Sequence, residues 1–327
     1  MHTESTTCLV TGGAGYIGSI VAQHLLRAGF EVIVVDNLST GSKEAVPSGA
    51  EFFQADVGDL ELLQSIFTGN RIGAVLHFAG RIDVEESTRD PLFYFSENFS
   101  KPLKLLRLVS EHPVEAFVFS STAAVYGEIP AFPVQETRAP RPINPYGVSK
   151  WAFEQALADV LREKSWAILR YFNVTGADLE LNNGPRVREP KNLFRNLART
   201  ALGIQEHFLI NGNHHPTPDG TAVRDYIHVE DLAQAHVAAL PELISTPRTK
   251  GIWNLGSGRG FSVQEVLAEF LKHKNFSWSY GPPREGDPSS VVAATDLASR
   301  ELGFRPFNSE LSQLVESSLR WEKKIFL

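Results

Sequence analysis

Cysteine is all but missing from this chain: Cys8 is the only one in 327 residues. An intrachain disulfide is therefore impossible, and a reducing compartment is the natural setting. No apolar run comes near the roughly 20 residues a membrane-spanning helix needs. The polar stretch from Met1 to Thr7 has neither the basic start nor the apolar middle of a secretory leader. These absences predict a cytoplasmic protein with no membrane partner. Basic blocks are missing too. Lys and Arg number 31 against 38 Asp and Glu, a formal net charge of −7. That balance argues against nucleic acid as a partner and leaves any anionic ligand to local groups. No internal repeat or low-complexity tract is present. The histidines form no metal set: His214-His215 read as loop residues, and His228 and His236 are spaced too loosely for helical ligands.

What the chain does have is ordinary bulk, 43% hydrophobic and 21% charged, and one conspicuous motif. Gly12, Gly15 and Gly18 lie between the apolar run Cys8-Leu9-Val10 and the helical pattern Ile17, Val21, Leu25, Leu26. Glycines at a strand-to-helix turn let the backbone close on a pyrophosphate, and the helix N-terminus offers it N–H groups and a positive dipole end. The next apolar run, Val32–Val35, ends in Asp36, where an acid meets the adenosine ribose of a dinucleotide. Further strand patterns follow at Glu51–Ala55, Ala74–Phe78, Ala116–Ser120 and Ala167–Tyr171. Helix-length segments lie between them, notably Pro91–His112 and Pro145–Glu163. Doubly apolar strands alternating with helices predict an α/β fold, a doubly wound parallel sheet of the Rossmann type. We place the dinucleotide-binding domain at residues 1–172. A smaller C-terminal lobe over 173–327 would bind substrate, with an interleaved boundary and helices at Leu193–Leu202, Val229–Leu240, Ser262–His273 and Ser309–Lys324.

Tyr146 and Lys150, four apart after Pro145, fall on one face of a helix start. A phenol has an unperturbed pKa near 10, so it serves as a base at neutral pH only beside positive charge. A Tyr/Lys pair at this spacing is commonplace on solvated helices. Here it opens the helix after the fifth strand. That strand ends in Ser120-Ser121-Thr122, whose hydroxyls would stand at the carboxyl edge where such sheets bind ligands.

These segments, taken in order, resemble the extended short-chain dehydrogenase/reductase family over nearly the whole length. The match continues through Val35–Gly41, Asp56-Val57, His77–Gly80, Asn98, Ser120–Gly127, Arg170–Ala177, Asp219–Val229, Asn254–Gly258 and Arg284–Asp287. The string Val223-Arg224-Asp225-Tyr226-Ile227-His228-Val229 is similar to its 4-epimerase branch. The resemblance implies NAD as cofactor. Gly12, Gly15, Tyr16, Ile17 and Gly18 would hold its pyrophosphate, Asp36 and Asn37 the adenosine ribose, and Asp56 and Val57 the adenine. Phe78, Ala79, Gly80, Asn98, Ser120 and Tyr171 would line the rest. Tyr146 would be the acid/base, Lys150 its partner on the nicotinamide ribose, and Thr122 a hydrogen-bonding group at the sugar. A UDP-sugar would be held by Asn173, Asn192, Leu193, Arg224, Arg284 and Asp287, with Val291 beside the hexose. Guanidinium forks suit a diphosphate, which answers how an acidic chain binds a dianion.

The implied reaction is inversion at C4 of a UDP-sugar, interconverting the glucose and galactose forms through a transient 4-keto sugar. Alternatives are a preference for N-acetylated hexoses, pentoses or uronates. A non-enzymatic nucleotide sensor is a further alternative, which the intact Tyr146/Lys150 pair argues against. Ala123-Ala124 stand where related dehydratases and decarboxylases carry an acid, so proton transfer at C5 or C6 has no donor. Two positions depart from the family pattern. Ile82 replaces a lysine common near the cofactor, with Arg81 beside it. Val291 replaces a bulky Tyr found where specificity is narrow, which would leave room for an N-acetyl group. The family also implies a homodimer through its paired helices, here with Leu103, Leu106, Val109, Trp151 and Leu157 at the interface.

Overall fold

The computed structural model describes residues 6–128, 133–187, 190–283 and 288–327. Its first half runs β1 (Thr7–Thr11), α1 (Tyr16–Arg27), β2 (Glu31–Asp36), β3 (Glu51–Gln54), α2 (Leu60–Gly69), β4 (Ile72–His77), α3 (Val84–Arg89), α4 (Pro91–Phe95), α5 (Lys101–Glu111), β5 (Ala116–Thr122), α6 (Pro145–Val160) and β6 (Ser165–Tyr171). The remainder runs β7 (Asn173–Thr175), α7 (Leu193–Leu202), β8 (His207–Asn211), β9 (Val223–His228), α8 (Val229–Ser245), β10 (Lys250–Leu255), β11 (Gly260–Ser262), α9 (Val263–His273), β12 (Ser277–Gly281), β13 (Ser290–Val291), α10 (Asp296–Glu301) and α11 (Leu311–Phe326).

Seven strands form one sheet in the order β10-β6-β5-β4-β1-β2-β3. The pairings from β6 through β3 are parallel, as strands with apolar residues on both faces require. The order reverses between β1 and β4, the position at which such sheets open a ligand crevice beyond their carboxyl ends. Leu9, Ile33, Val75, Phe117 and Ile168 from the strands pack with Leu63, Leu105, Phe153 and Leu157 from the helices. Each such side chain contributes about 1.5–3 kcal/mol by leaving water.

The chain divides into two compact units, each discontinuous in sequence. One takes the residues up to Glu128, Thr137–Tyr171 and Ala233–Trp253, and so contains the large sheet. The other takes the stretch ending at Glu136, Phe172–Leu232 and Asn254–Leu327. In this second unit β9 is the hub. It pairs antiparallel with β11, and parallel with β13 through Val223 and Arg224 and with β7 through Tyr226–His228. Phe194, Leu197, Tyr226, Phe270 and Leu314 form its core.

The structure corrects three readings of the sequence. The helix expected over Pro91–His112 is interrupted by a π-helical turn, Ser96–Ser100, in which the Lys101 N–H reaches back to the Ser96 carbonyl. Pro102 explains the break, because it has no N–H for the Asn98 carbonyl four residues earlier. α8 runs on past Leu240 to Ser245 with Pro241 inside it. Leu106, Val109 and Leu157 are not interface residues of the first unit: all three are buried in its core. Their stripe is the one that α5 and α6 turn to the interior, so none of them has apolar surface left for a partner.

Candidate active site

β1 delivers the chain into a turn that only glycine can make. Gly12 has φ +75, and a Cβ there would lie 2.5 Å from the Ala79 nitrogen. A Cβ on Gly18 would lie 2.3 Å from the Gly12 carbonyl oxygen, so α1 packs directly on the loop before it. Gly15 is the N-cap of α1, without a side-chain cap and without an acid in the first turn, which also holds Tyr16 and Ile17. The first turn of the helix itself thus adds no negative charge to its positive end. This cradle fits a pyrophosphate.

Asp36 closes β2 and is almost fully buried. Its carboxylate accepts hydrogen bonds from the N–H of Ala14 (3.0 Å) and of Leu38 (2.8 Å), tying the second strand to the glycine loop. Burial pushes its pKa up, and these backbone donors oppose the rise. Asp56 accepts from Asn37 Nδ2 (2.9 Å), Gly58 N–H (2.7 Å) and Lys101 Nζ (2.9 Å). Partial burial acts to raise its pKa, but Lys101, Gly58 and Asn37 together outweigh burial and lower it. Lys101 escapes a motif-based reading because it lies 45 residues from the acid it holds. Val57 beside that acid is buried in the first unit's core.

Tyr146 and Lys150 sit on the first two turns of α6. Asn144 caps that helix by accepting from the Gly147 N–H at 2.8 Å, and Pro145 occupies its first turn. Both reacting side chains are buried. The Lys150 ammonium donates to the Ser120 carbonyl at 3.0 Å and lies 4.9 Å from the centre of the Phe119 ring. Burial drives it down to about 8, against the pull of the Glu154 carboxylate. Burial also pushes the Tyr146 phenol above its ordinary value, and a hydrogen bond with the Thr122 side chain works the other way. The chain by itself therefore keeps this phenol protonated.

Around this pair, Asn98 is held in the π-helical turn. Its Oδ1 accepts from the Arg81 N–H (2.7 Å), and its Nδ2 donates to the Arg81 carbonyl (3.0 Å) and to Ser149 Oγ (3.1 Å). A Cβ on Gly80 would lie 2.7 Å from Asn98 Oδ1 and 3.4 Å from Lys150 Nζ, so that position must stay bare. The Arg81 guanidinium stacks on Phe93, 5.0 Å from the ring centre, and Ile82 is exposed. Tyr171 bonds Ser120 and, through its hydroxyl, His236 Nε2. The His236 ring also packs 5.1 Å from that of Phe78. His236 comes from α8, and nothing in its local sequence marks it as a neighbour of Tyr171.

In the second unit, Asn192 caps α7 by accepting from the Arg195 N–H at 3.3 Å and donates Nδ2 to the Val174 carbonyl at 3.2 Å. Asn192 and Leu193 thereby come next to β7, which begins at the exposed Asn173. Arg224 and Val291 are register partners on adjacent strands. Arg284 and Asp287 lie outside the described residues. Asp225, beside Arg224, is buried. It accepts from Ser257 N–H (2.6 Å) and Oγ (2.7 Å), Gly258 N–H (3.0 Å) and Ala293 N–H (3.1 Å), a clamp that fixes the strand carrying the arginine. Among the described residues no group of His, Cys, Asp or Glu could hold a metal ion, and no helix is long and apolar enough to cross a membrane.

The chain is similar to known proteins over nearly its whole length. The model of the NAD dependent epimerase/dehydratase family matches residues 8–256. The chain is 39% identical over 321 residues to the UDP-glucose 4-epimerase of Lacticaseibacillus casei, covering 97% of each. It superposes with a TM-score of 0.93 at 36% identity on UDP-glucose-4-epimerase from Stenotrophomonas maltophila with bound NAD and formylated UDP-arabinopyranose, covering 98% of this chain and 99% of that one. The UDP-Glc/GlcNAc 4-epimerase of Campylobacter jejuni superposes with a TM-score of 0.84 at 37% identity, covering 98% of this chain and 100% of that one.

Proposed function

The chain belongs to the NAD-dependent epimerase/dehydratase family, and we propose that it inverts C4 of UDP-sugars, with UDP-glucose and UDP-galactose as its main pair. One observation carries this reading. The Tyr146 hydroxyl bonds Thr122, and Lys150 stands one turn along the same helix, in the unit whose glycine cradle fits a dinucleotide. Gly12, Gly15, Tyr16, Ile17 and Gly18 would hold the NAD pyrophosphate, Asp36 and Asn37 its adenosine ribose, and Asp56 and Val57 the adenine. Phe78, Ala79, Gly80, Asn98, Ser120 and Tyr171 would line the nicotinamide half. Bound NAD supplies a hydride acceptor that returns the same hydride to the same carbon.

The chain's own work is proton transfer and anchoring. Tyr146 takes the proton of the sugar 4-hydroxyl and later gives it back, while Thr122 orients both oxygens. Lys150 adds positive charge near the phenol and ties the helix to the end of β5 through the Ser120 carbonyl. Arg224, with Arg284, would clamp the diphosphate, and Asn173, Asn192, Leu193 and Asp287 the nucleoside. A tightly anchored UDP and a loosely held hexose allow the 4-keto sugar to turn its other face to the cofactor. Ala123 and Ala124, next to Thr122, have no proton to give, so the reaction stops at inversion.

A second reading, turnover of N-acetylated sugars as well, is favoured by Val291. It is a small half-buried side chain paired with Arg224. UDP-galactose deuterated at C4 tests the main proposal. The expected product is UDP-glucose that keeps the label, and loss of deuterium to solvent would rule out a hydride held within one active site. We further propose a homodimer, read as a solution mass near twice the 36.1 kDa chain.

A further inference from the structure

The face of α6 that carries Tyr146 and Lys150 bears a third ionisable side chain one turn further on. Glu154 is 1% exposed. Its Oε1 accepts from Ser121 Oγ (2.5 Å) and Arg170 Nε (3.0 Å), and its Oε2 accepts from Arg170 Nη2 (2.6 Å). Arg170 is 2% exposed. It also donates Nη1 to the Tyr126 hydroxyl at 3.0 Å, with its guanidinium 4.8 Å from that ring's centre. Such a buried pair is no obvious gain in stability. Stripping water from both charges costs about as much as their attraction returns, and well-packed apolar residues often serve as well. Its location is what sets it apart. Ser121 stands between Ser120, whose carbonyl takes the Lys150 ammonium, and Thr122, which bonds Tyr146.

We propose that Glu154 is a positioning residue: it sets a buried carboxylate one turn along α6 from Lys150 and, through Ser121, pins the Ser120–Thr122 end of β5, while Arg170, bonded to both its oxygens, limits how much of that charge the lysine feels. The inference rests on the epimerase reading above. The other ionisable groups on elements packed against α6 do not supply this charge. His77 of β4 is buried among Phe117, Phe119 and Phe153, and burial takes its pKa down to about 3, which leaves it neutral. Glu86 of α3 is engaged by the hydroxyl of Tyr94, which meets Tyr146 edge-on. Glu97 of the π-helical turn pairs with Lys101 of α5, and Arg107 of α5 pairs with Glu111. Tyr126 bonds Arg170, and Tyr171 of β6 bonds His236. Glu154 is the carboxylate that acts on Lys150, opposing the effect of burial.

The test is the pH profile of UDP-galactose turnover by the NAD-loaded protein. Glu154→Gln should move the alkaline limb to lower pH by about one unit, and Glu154→Asp should move it back toward the wild type. The double variant Glu154→Gln/Arg170→Gln removes the buried charges together. It carries the same readout if the single variant does not fold, with a smaller shift of the same sign. NMR titration of the Lys150 13Cε resonance reads the same shift without turnover. Absence of wild-type activity would therefore count against the epimerase reading alone. Folded Gln variants that lose rate while the limb and the Lys150 titration stay in place would overturn the proposal.

Discussion

Among the described residues each unit contains one buried arginine–glutamate cluster, and the two differ in what surrounds them. In the second unit Glu322 of α11 accepts from Arg195 Nε and, at 2.8 Å, from Arg199 Nε, both on α7. Arg195 also donates to the Val187 carbonyl at 2.8 Å, and Arg199 lies 4.5 Å from the centre of the Phe326 ring. These contacts tie α7 to α11 and to the chain at Val187. In the first unit, Glu154 and Arg170 touch Ser121 and Tyr126, and Glu154 acts on Lys150. A buried arginine–glutamate cluster ties two helices together in one unit and, on our proposal, sets the field beside the reacting groups in the other. What a buried ion pair does depends on which reacting groups stand within its field.

The largest expected effect tests whether chemistry resides in the first unit alone. Tyr146→Phe keeps the ring and its edge-on contact with Tyr94 but removes the oxygen proposed to exchange the C4 proton. Turnover should fall about 10²–10⁴-fold, while absorbance of the purified protein shows NAD(H) still bound. Residual activity near the wild type would mean that another group moves the proton.

Next in size is the counterpart in the second unit. Glu322→Ala removes the carboxylate that two buried guanidinium groups share and should cost about 3–5 kcal/mol of stability by denaturant unfolding. The pH at which activity falls off should not move. A displaced limb would erase the distinction between the clusters.

That limb has a sign that follows from burial. Lys150 is held at about 8, below the ordinary lysine value of 10.5. Turnover should therefore decline as pH rises through that region and the ammonium is lost. Stability responds in the opposite direction. Between the folded and unfolded values the unfolded chain binds the extra proton, so this lysine's contribution to folding improves as pH rises from about 8 toward 10.5. Activity and thermal midpoint measured on one pH series should part company there. Parallel decline would place the alkaline limb in unfolding instead.

Much of the frame was legible in residue order because its signals are local. The doubly apolar runs became β1, β2, β4, β5 and β6, and the glycines at 12, 15 and 18 form the turn their spacing predicts. The N-caps Asn144, Asn192 and Ser262 mark helix starts that a linear reading finds within a residue or two. What escaped was long-range or depended on which way a helix faced. Lys101 on Asp56, His236 on Tyr171 and Arg170 on Glu154 are pairings made by the sheet and its crossovers, and no window of sequence contains both partners as a motif. Leu106, Val109 and Leu157 have apolar patterning that suits a partner helix and a core equally, and the core took them. The π-helical turn before Pro102 was hidden because periodicity tolerates one extra residue in a turn.

The smallest expected effect concerns how narrowly the second unit reads the sugar. Val291 pairs with Arg224 on a strand of two residues, β13, whereas Tyr146 and Lys150 are seated on a sixteen-residue helix tied to the sheet. A side chain on so short an element can change size with little effect on either core. Val291→Tyr should leave UDP-galactose turnover within a few-fold of the wild type. It should cut the relative kcat/KM for UDP-GlcNAc by about tenfold, the scale of one misfitting group in a pocket. Competition between the two sugars in a single NMR-monitored reaction measures that ratio directly. If the ratio is unchanged, Val291 does not face the acetamido group, and the breadth of the site is set by residues on another strand.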